Sequence, residues 1–307
     1  MIIDAHCHIW EEKLVSKEIK DLMSNALKDG IYDHKSEIFK FDPSQIVNIT
    51  PKGLVQEMEE AGIDKTVLLA LDYDIFFKSK IGYKGYNNYV AGIVEKYPDK
   101  FIGFAGIDPR RGIESIVELE RCLDIGMTGV KLWPLAGFYP DNPDFYPFYE
   151  RIQELDVPLL CHTGSSPPHT YMKYNRPIFI DTIAVDFPKI KIIMAHVSNP
   201  WTNEALHVAG KNQNVYVDIS SYQLTYKISP LIFFQTLISA KMSCGVKKVL
   251  FGSDWPIFTP ILSQKEWVEC IEKMKVPPAI KMMGLPDFTD KEKKMILGEN
   301  AAKIFGL

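Results

Sequence analysis

The sequence predicts an α/β fold, a (β/α)8 TIM barrel with an insertion after the first strand. Three observations predict it. Eight short β-branched or apolar runs recur along 307 residues. Amphipathic helical patterns or loops separate them. Polar residues capable of chemistry cluster at the C-terminal ends of the runs, where such barrels build their sites.

The runs fall at residues 2–5, 66–71, 101–107, 129–133, 158–162, 190–196, 215–219 and 249–254. Near-continuous apolar runs of this length suit parallel strands covered on both faces. Thr50 and Pro51 open the first long helix as cap and first helical residue, and Gly62 closes it. Ile113, Ile116, Val117 and Leu123 mark the expected inner face of another helix. Thr289 and Glu292 have capping-box spacing ahead of a C-terminal helix through Asn300-Ala301-Ala302, expected to pack on the barrel. One domain is expected over 1–307. Within it, 11–52 form an insertion too long for a bare loop, expected to carry short helices and part of a lid.

Composition narrows the function. Hydrophobic content of 46% and charged content of 24% are ordinary for a globular chain. The net charge of −4 and the lack of a basic run argue against nucleic acid. No apolar run is long enough to span a bilayer, and no secretory signal pattern opens the chain. Five scattered cysteines, none in a CxxC pair, read as reduced thiols of a cytoplasmic protein.

His6 and His8 are spaced i, i+2 at the end of the first strand, so both rings point to one face and Cys7 turns away. Lys131 lies on the fourth strand, His162 ends the fifth, His196 the sixth and Asp254 the eighth. One histidine at a strand end is ordinarily structural. Four histidines and an aspartate at one rim of a barrel point to a metal site.

These motifs resemble the amidohydrolase superfamily: Asp4-Ala5-His6-Cys7-His8, Gly129-Val130-Lys131-Leu132, His162-Thr163-Gly164, Ala195-His196, Phe251-Gly252-Ser253-Asp254-Trp255-Pro256 and the Gly298–Ala302 end. The nearest branch holds aminocarboxymuconate-semialdehyde decarboxylase and γ-resorcylate decarboxylase. The resemblance implies one divalent metal per chain, zinc being the expected ion, held by His6, His8, His162 and Asp254. His196 and Asp254 would handle protons. In binuclear relatives a fourth-strand lysine is carbamylated and bridges two metals. If Lys131 did so, His162 and His196 would serve the second metal. The mononuclear pattern favours a substrate or structural role for Lys131.

Arg176 is a candidate for a substrate carboxylate, weighed against a surface or helix-capping role, and Trp255 a candidate pocket wall. The segments 133–144 and 165–171 are candidate lids. His34, His169 and His207 are expected to lie outside the chemistry. The leading expectation is a metal-dependent hydrolase cleaving an amide, ester or lactone of a small carboxylate-bearing or cyclic substrate. The alternative is a non-oxidative decarboxylase of an aromatic or unsaturated acid. A barrel without turnover and a metal-free sugar-phosphate barrel fit less well, since proton-handling residues are present and no phosphate loop is evident. The expected partners are a small-molecule substrate and, by resemblance, a second copy in a homodimer.

Overall fold

The computed structural model describes residues 1–12, 14–18, 20–21, 49–77, 79–167 and 170–307. Most of the expected 11–52 insertion, with His34, lies outside the described residues, as does His169.

Eight parallel strands run in chain order: β1 (Ile3–Cys7), β2 (Lys65–Leu69), β3 (Phe101–Gly106), β4 (Gly129–Leu132), β5 (Leu159–Cys161), β6 (Ile192–Met194), β7 (Val215–Asp218) and β8 (Val249–Leu250). The ring closes where the Ala5 N–H donates to the Phe251 carbonyl at 3.0 Å and the His8 N–H to the Trp255 carbonyl at 2.7 Å. Helices α1 (Pro51–Ala61), α2 (Gly82–Lys96), α3 (Ile113–Asp124), α4 (Tyr146–Glu154), α5 (Ile178–Asp186) and α6 (Thr202–Lys211) follow successive strands up to β6. Helices α7 (Tyr222–Ile228) and α8 (Pro230–Ser243) lie between β7 and β8, and α9 (Gln264–Glu272) follows β8. This is the expected (β/α)8 barrel.

Local signals act as read. The Thr50 side chain accepts the Gly53 N–H, and Gly62 caps α1 at φ 72°. Thr289 and Glu292 form the capping box. The apolar face expected of α3 holds in part, with Ile116 and Leu123 packed against the core. Ile113 and Val117 face solvent, while Ser115, Glu118, Leu119 and Cys122 are buried. The inner face accepts Glu118 because Asn87 donates to it at 2.8 Å and Arg121 at 2.7 Å, so its burial is compensated.

Two apolar cores form. The larger fills the space between strands and helices. The smaller fills the barrel, with Ile3, Ala5, Val67, Leu69, Phe104, Leu160 and Leu250 among its members. Full burial of each large side chain there contributes roughly 1.5–3 kcal/mol. Gly129 leaves room for Phe104, whose ring occupies the space a Cβ would take. The C-terminal helix Asn300–Phe305 stops the lower end with Ala301 and Ile304.

The β1 register carries the fold into the site. Asp4 pairs with Thr66 but Cys7 with Leu68, so β1 spends three steps where β2 spends two. That bulge reverses the inward side of the strand. Ile3 and Ala5 belong to the inner core, whereas Cys7 and Ile9 belong to the outer one. His6 and His8 thereby enter the barrel.

Candidate metal centre

The bulge aims two imidazoles at the mouth of the barrel. His6 Nε2 lies 3.5 Å and His8 Nε2 3.6 Å from Asp254 Oδ1. Ligand atoms of His6, His8 and Asp254 all fall within 4.8 Å of one another. Asp254 reaches this place through a left-handed backbone, φ 53°, with its N–H donated to the His6 carbonyl at 2.8 Å. A non-glycine residue in that region is strained by roughly 1–3 kcal/mol, as functional residues often are.

Each imidazole is oriented from behind. His6 Nδ1 donates to Asp218 Oδ2 at 2.9 Å, and His8 Nδ1 to the Leu69 carbonyl at 3.1 Å. Both Nε2 atoms are thus left as lone-pair donors. His6 Nε2 is buried without a hydrogen-bond partner. A buried orphan of this kind beside a second imidazole and a carboxylate fits a divalent cation.

His162 and His196 stand beside this trio, their ring centroids 4.9 Å apart. His196 is also 4.9 Å from His6. His162 Nε2 donates to the Ser165 carbonyl at 2.9 Å, which leaves Nδ1 as its base. His196 begins three consecutive left-handed residues, at φ 60°, 41° and 51° through Ser198. Its N–H donates to Asp218 Oδ1 at 3.0 Å and its Nδ1 lies 2.8 Å from Ser220 Oγ. Ser220 gives its own proton to Asp218, so it accepts from His196 Nδ1, and His196 Nε2 is left unprotonated.

Asp218 and Ser220 belong to the site although no motif in the sequence marks them. Asp218 is the last residue of β7, within the run 215–219, on the inward side of alternation. His6, His196 and Asp218 form a second close group, but both Asp218 oxygens already accept hydrogen bonds, which makes Asp218 a support for the imidazoles. Asp4 opens the Asp4–His8 motif and has a structural duty of its own. It accepts N–H groups from His6 at 3.1 Å and Ser253 at 2.9 Å, joining β1 to the loop that carries Asp254.

Burial sets the protonation. It pushes His6, His8 and His196 well below the usual imidazole range, reinforced by neighbouring cations, and His162 down to about 3. Neutral rings are the form that binds metal. Burial raises Asp254 to about 7, against the lowering effect of Lys131. Lys131, fully inside the barrel, is lowered by burial to about 8 while Asp218 and Asp254 oppose the shift. Its Nζ has no hydrogen-bond partner.

Arg176 and Trp255 lie differently. The Arg176 guanidinium is held by Glu204 and half-exposed above the Trp201 ring. Trp255 is buried in the outer core, where its Nε1 donates to Glu57 on α1 at 2.8 Å. The structure brings neither to the histidine cluster. Trp10 instead stacks on His8, centroids 5.0 Å apart. Trp133 of the first lid segment faces Tyr73 at 6.2 Å, and Tyr171 of the second faces Phe76 at 6.4 Å. His207 is exposed.

Comparison with known proteins agrees with this architecture. The amidohydrolase family profile matches residues 3–307. The chain belongs to the amidohydrolase family. It is an enzyme of the hydrolase or carboxy-lyase kind on a metal-dependent fold. A γ-resorcylate decarboxylase of Polaromonas sp. (strain JS666) is 27% identical over 227 residues, covering 60% of this chain and 68% of the relative. A 2-keto-4-carboxy-3-hexenedioate hydratase of Sphingobium sp. is 34% identical over 200 residues, covering 55% of this chain and 56% of the hydratase. The crystal structure of a Polaromonas dihydroxybenzoic acid decarboxylase, with bound manganese and 2-nitroresorcinol, superposes at a TM-score of 0.66 and 21% identity, covering 100% of this chain and 97% of the other. Among the described residues no helix is long and apolar enough to cross a membrane.

Proposed function

We propose that this enzyme is a metal-dependent carboxy-lyase, removing carbon dioxide from a small aromatic or unsaturated acid that carries a hydroxyl group. The observation that carries the reading is the buried, unpartnered Lys131 ammonium beside the His6–His8–Asp254 cluster. A cation confined there favours an anionic substrate. The relatives' reactions favour decarboxylation over the hydrolysis expected first from the motifs.

His6, His8 and Asp254 would hold the metal, with His162 Nδ1 as the fourth ligand. Zinc is the expected ion, and the manganese of the Polaromonas structure makes that ion the second candidate. When bound, such an ion supplies Lewis-acid polarisation of carboxylate and hydroxyl oxygens. Lys131 holds the substrate carboxylate by charge. His196 Nε2 accepts the hydrogen bond of the substrate hydroxyl. Asp254, which faces His6 Nε2 and His8 Nε2, delivers a proton to the carbon that loses the carboxylate. The C–C electron pair takes up that proton as carbon dioxide departs. The free thiols, Cys7, Cys122, Cys161, Cys244 and Cys270, support a reducing, cytoplasmic setting.

The test is metal-loaded protein offered dihydroxybenzoates and, separately, lactones, with carbon dioxide and ring opening both monitored. Carbon dioxide release that disappears in His6→Ala and Asp254→Asn is expected. Lactone opening with no carbon dioxide from any acid would return the enzyme to the hydrolases.

A further inference from the structure

At the end of the barrel opposite the histidines lies a cavity of about 390 Å³. Lys191, Lys247, Lys248 and Lys303 line it together with Tyr216 and Asn300, and its lining contains no carboxylate. Four ammonium groups around one small space repel one another, which is unexpected in a chain of net charge −4. Lys191 has Asp156 at 3.4 Å. Lys247 and Lys303 have no ion pair among the described residues.

Lys248 is the informative member. It is 7% exposed. It donates to the Ala209 carbonyl at 2.5 Å and to the Asn212 carbonyl. These are neutral acceptors at the end of α6, so the charge is buried without a counter-anion, and one of its three N–H donors stays unassigned. Asn300 donates through Nδ2 to the Val246 and Val249 carbonyls at 2.8 and 2.9 Å. Its buried Oδ1 has no partner. The cavity therefore combines concentrated positive charge, a buried donor and a buried acceptor.

We propose that this cavity is a binding site for a small hydroxylated molecule bearing two or more negative charges on phosphate or carboxylate groups. The charges meet the lysines, and a ligand hydroxyl donates to Asn300 Oδ1. Tyr216 stands on β7 two residues before Asp218, packed against the inner core, so a ligand here rests on the strand that orients His6.

Isothermal titration of the metal-loaded full chain with ribose 5-phosphate and with citrate, at ionic strength fixed with potassium chloride, tests this. One saturable site per chain is expected for at least one ligand, and the preferred one identifies the anionic group. Lys247→Gln with Lys303→Gln should weaken it by about tenfold or more without altering the melting curve, while Lys131→Met leaves it intact. No saturable heat with either ligand, an affinity indifferent to the double substitution, or loss in Lys131→Met would each overturn the proposal.

Discussion

Replacing Asp218 by asparagine should cost the enzyme its metal more than its fold. Asp218 Oδ1 accepts the His196 and Ser220 N–H groups, each at 3.0 Å, as well as the Ser220 hydroxyl. Oδ2 accepts His6 Nδ1 at 2.9 Å. An amide at this position must keep its carbonyl where three donors converge. Its NH2 then faces His6 Nδ1 and donates to it, which moves the imidazole proton to Nε2, the atom that faces His8 and Asp254. A ring protonated there cannot be a ligand. Loss of such an outer partner typically lowers metal affinity 10–100-fold, roughly 1.4–2.8 kcal/mol. The forced tautomer places Asp218→Asn at the upper end. Competition against a chelating indicator measures the affinity, and circular dichroism checks the fold. An unchanged metal affinity in a folded Asp218→Asn protein would refute the argument.

Lys131→Met should retain one metal per chain while raising KM for a carboxylate substrate by about tenfold or more, and elemental analysis showing two metals in the unmodified enzyme would assign Lys131 to a bridge instead. Asp4 has its carboxyl raised by burial to about 6 from 3.8. Its protonated form is therefore favoured by folding, so its stabilising contribution is complete below pH 3.8 and is lost as pH rises through about 6, a change of about 3 kcal/mol. The pH dependence of chemical denaturation should flatten by that amount in Asp4→Asn over the same window. Gly129→Ala should destabilise the barrel by about 1–3 kcal/mol, read as a lower melting temperature, because Phe104 must leave its place in the inner core.

Periodicity reached the fold because every strand is a short apolar run buried on both sides. Predicted ends overshoot, as at 249–254 against Val249–Leu250, because Phe251 to Asp254 stay buried after the chain leaves the ladder. Alternation placed His6 and His8 together and turned Cys7 and Cys161 away. It did not reveal the bulge, since pairing with β2 leaves no local mark. Asp218 obeys the same rule as His162 and His196, a polar residue on the inward side of a strand, here following Val215-Tyr216-Val217. Arg176 and Trp255 have the residue type of a site and lie near a motif, but their partners Glu204 and Glu57 are too distant in sequence for spacing to expose.

The extra residue in β1 works like a reading frame. Upstream of it, odd positions fill the interior; downstream, even ones do. Paired without that extra step, the same residues would keep Ile3 and Ala5 in the hydrophobic floor yet carry Cys7 and Ile9 into the barrel and turn both imidazoles into the helical layer. This half-turn of backbone is therefore the place where architecture and reactivity can be separated.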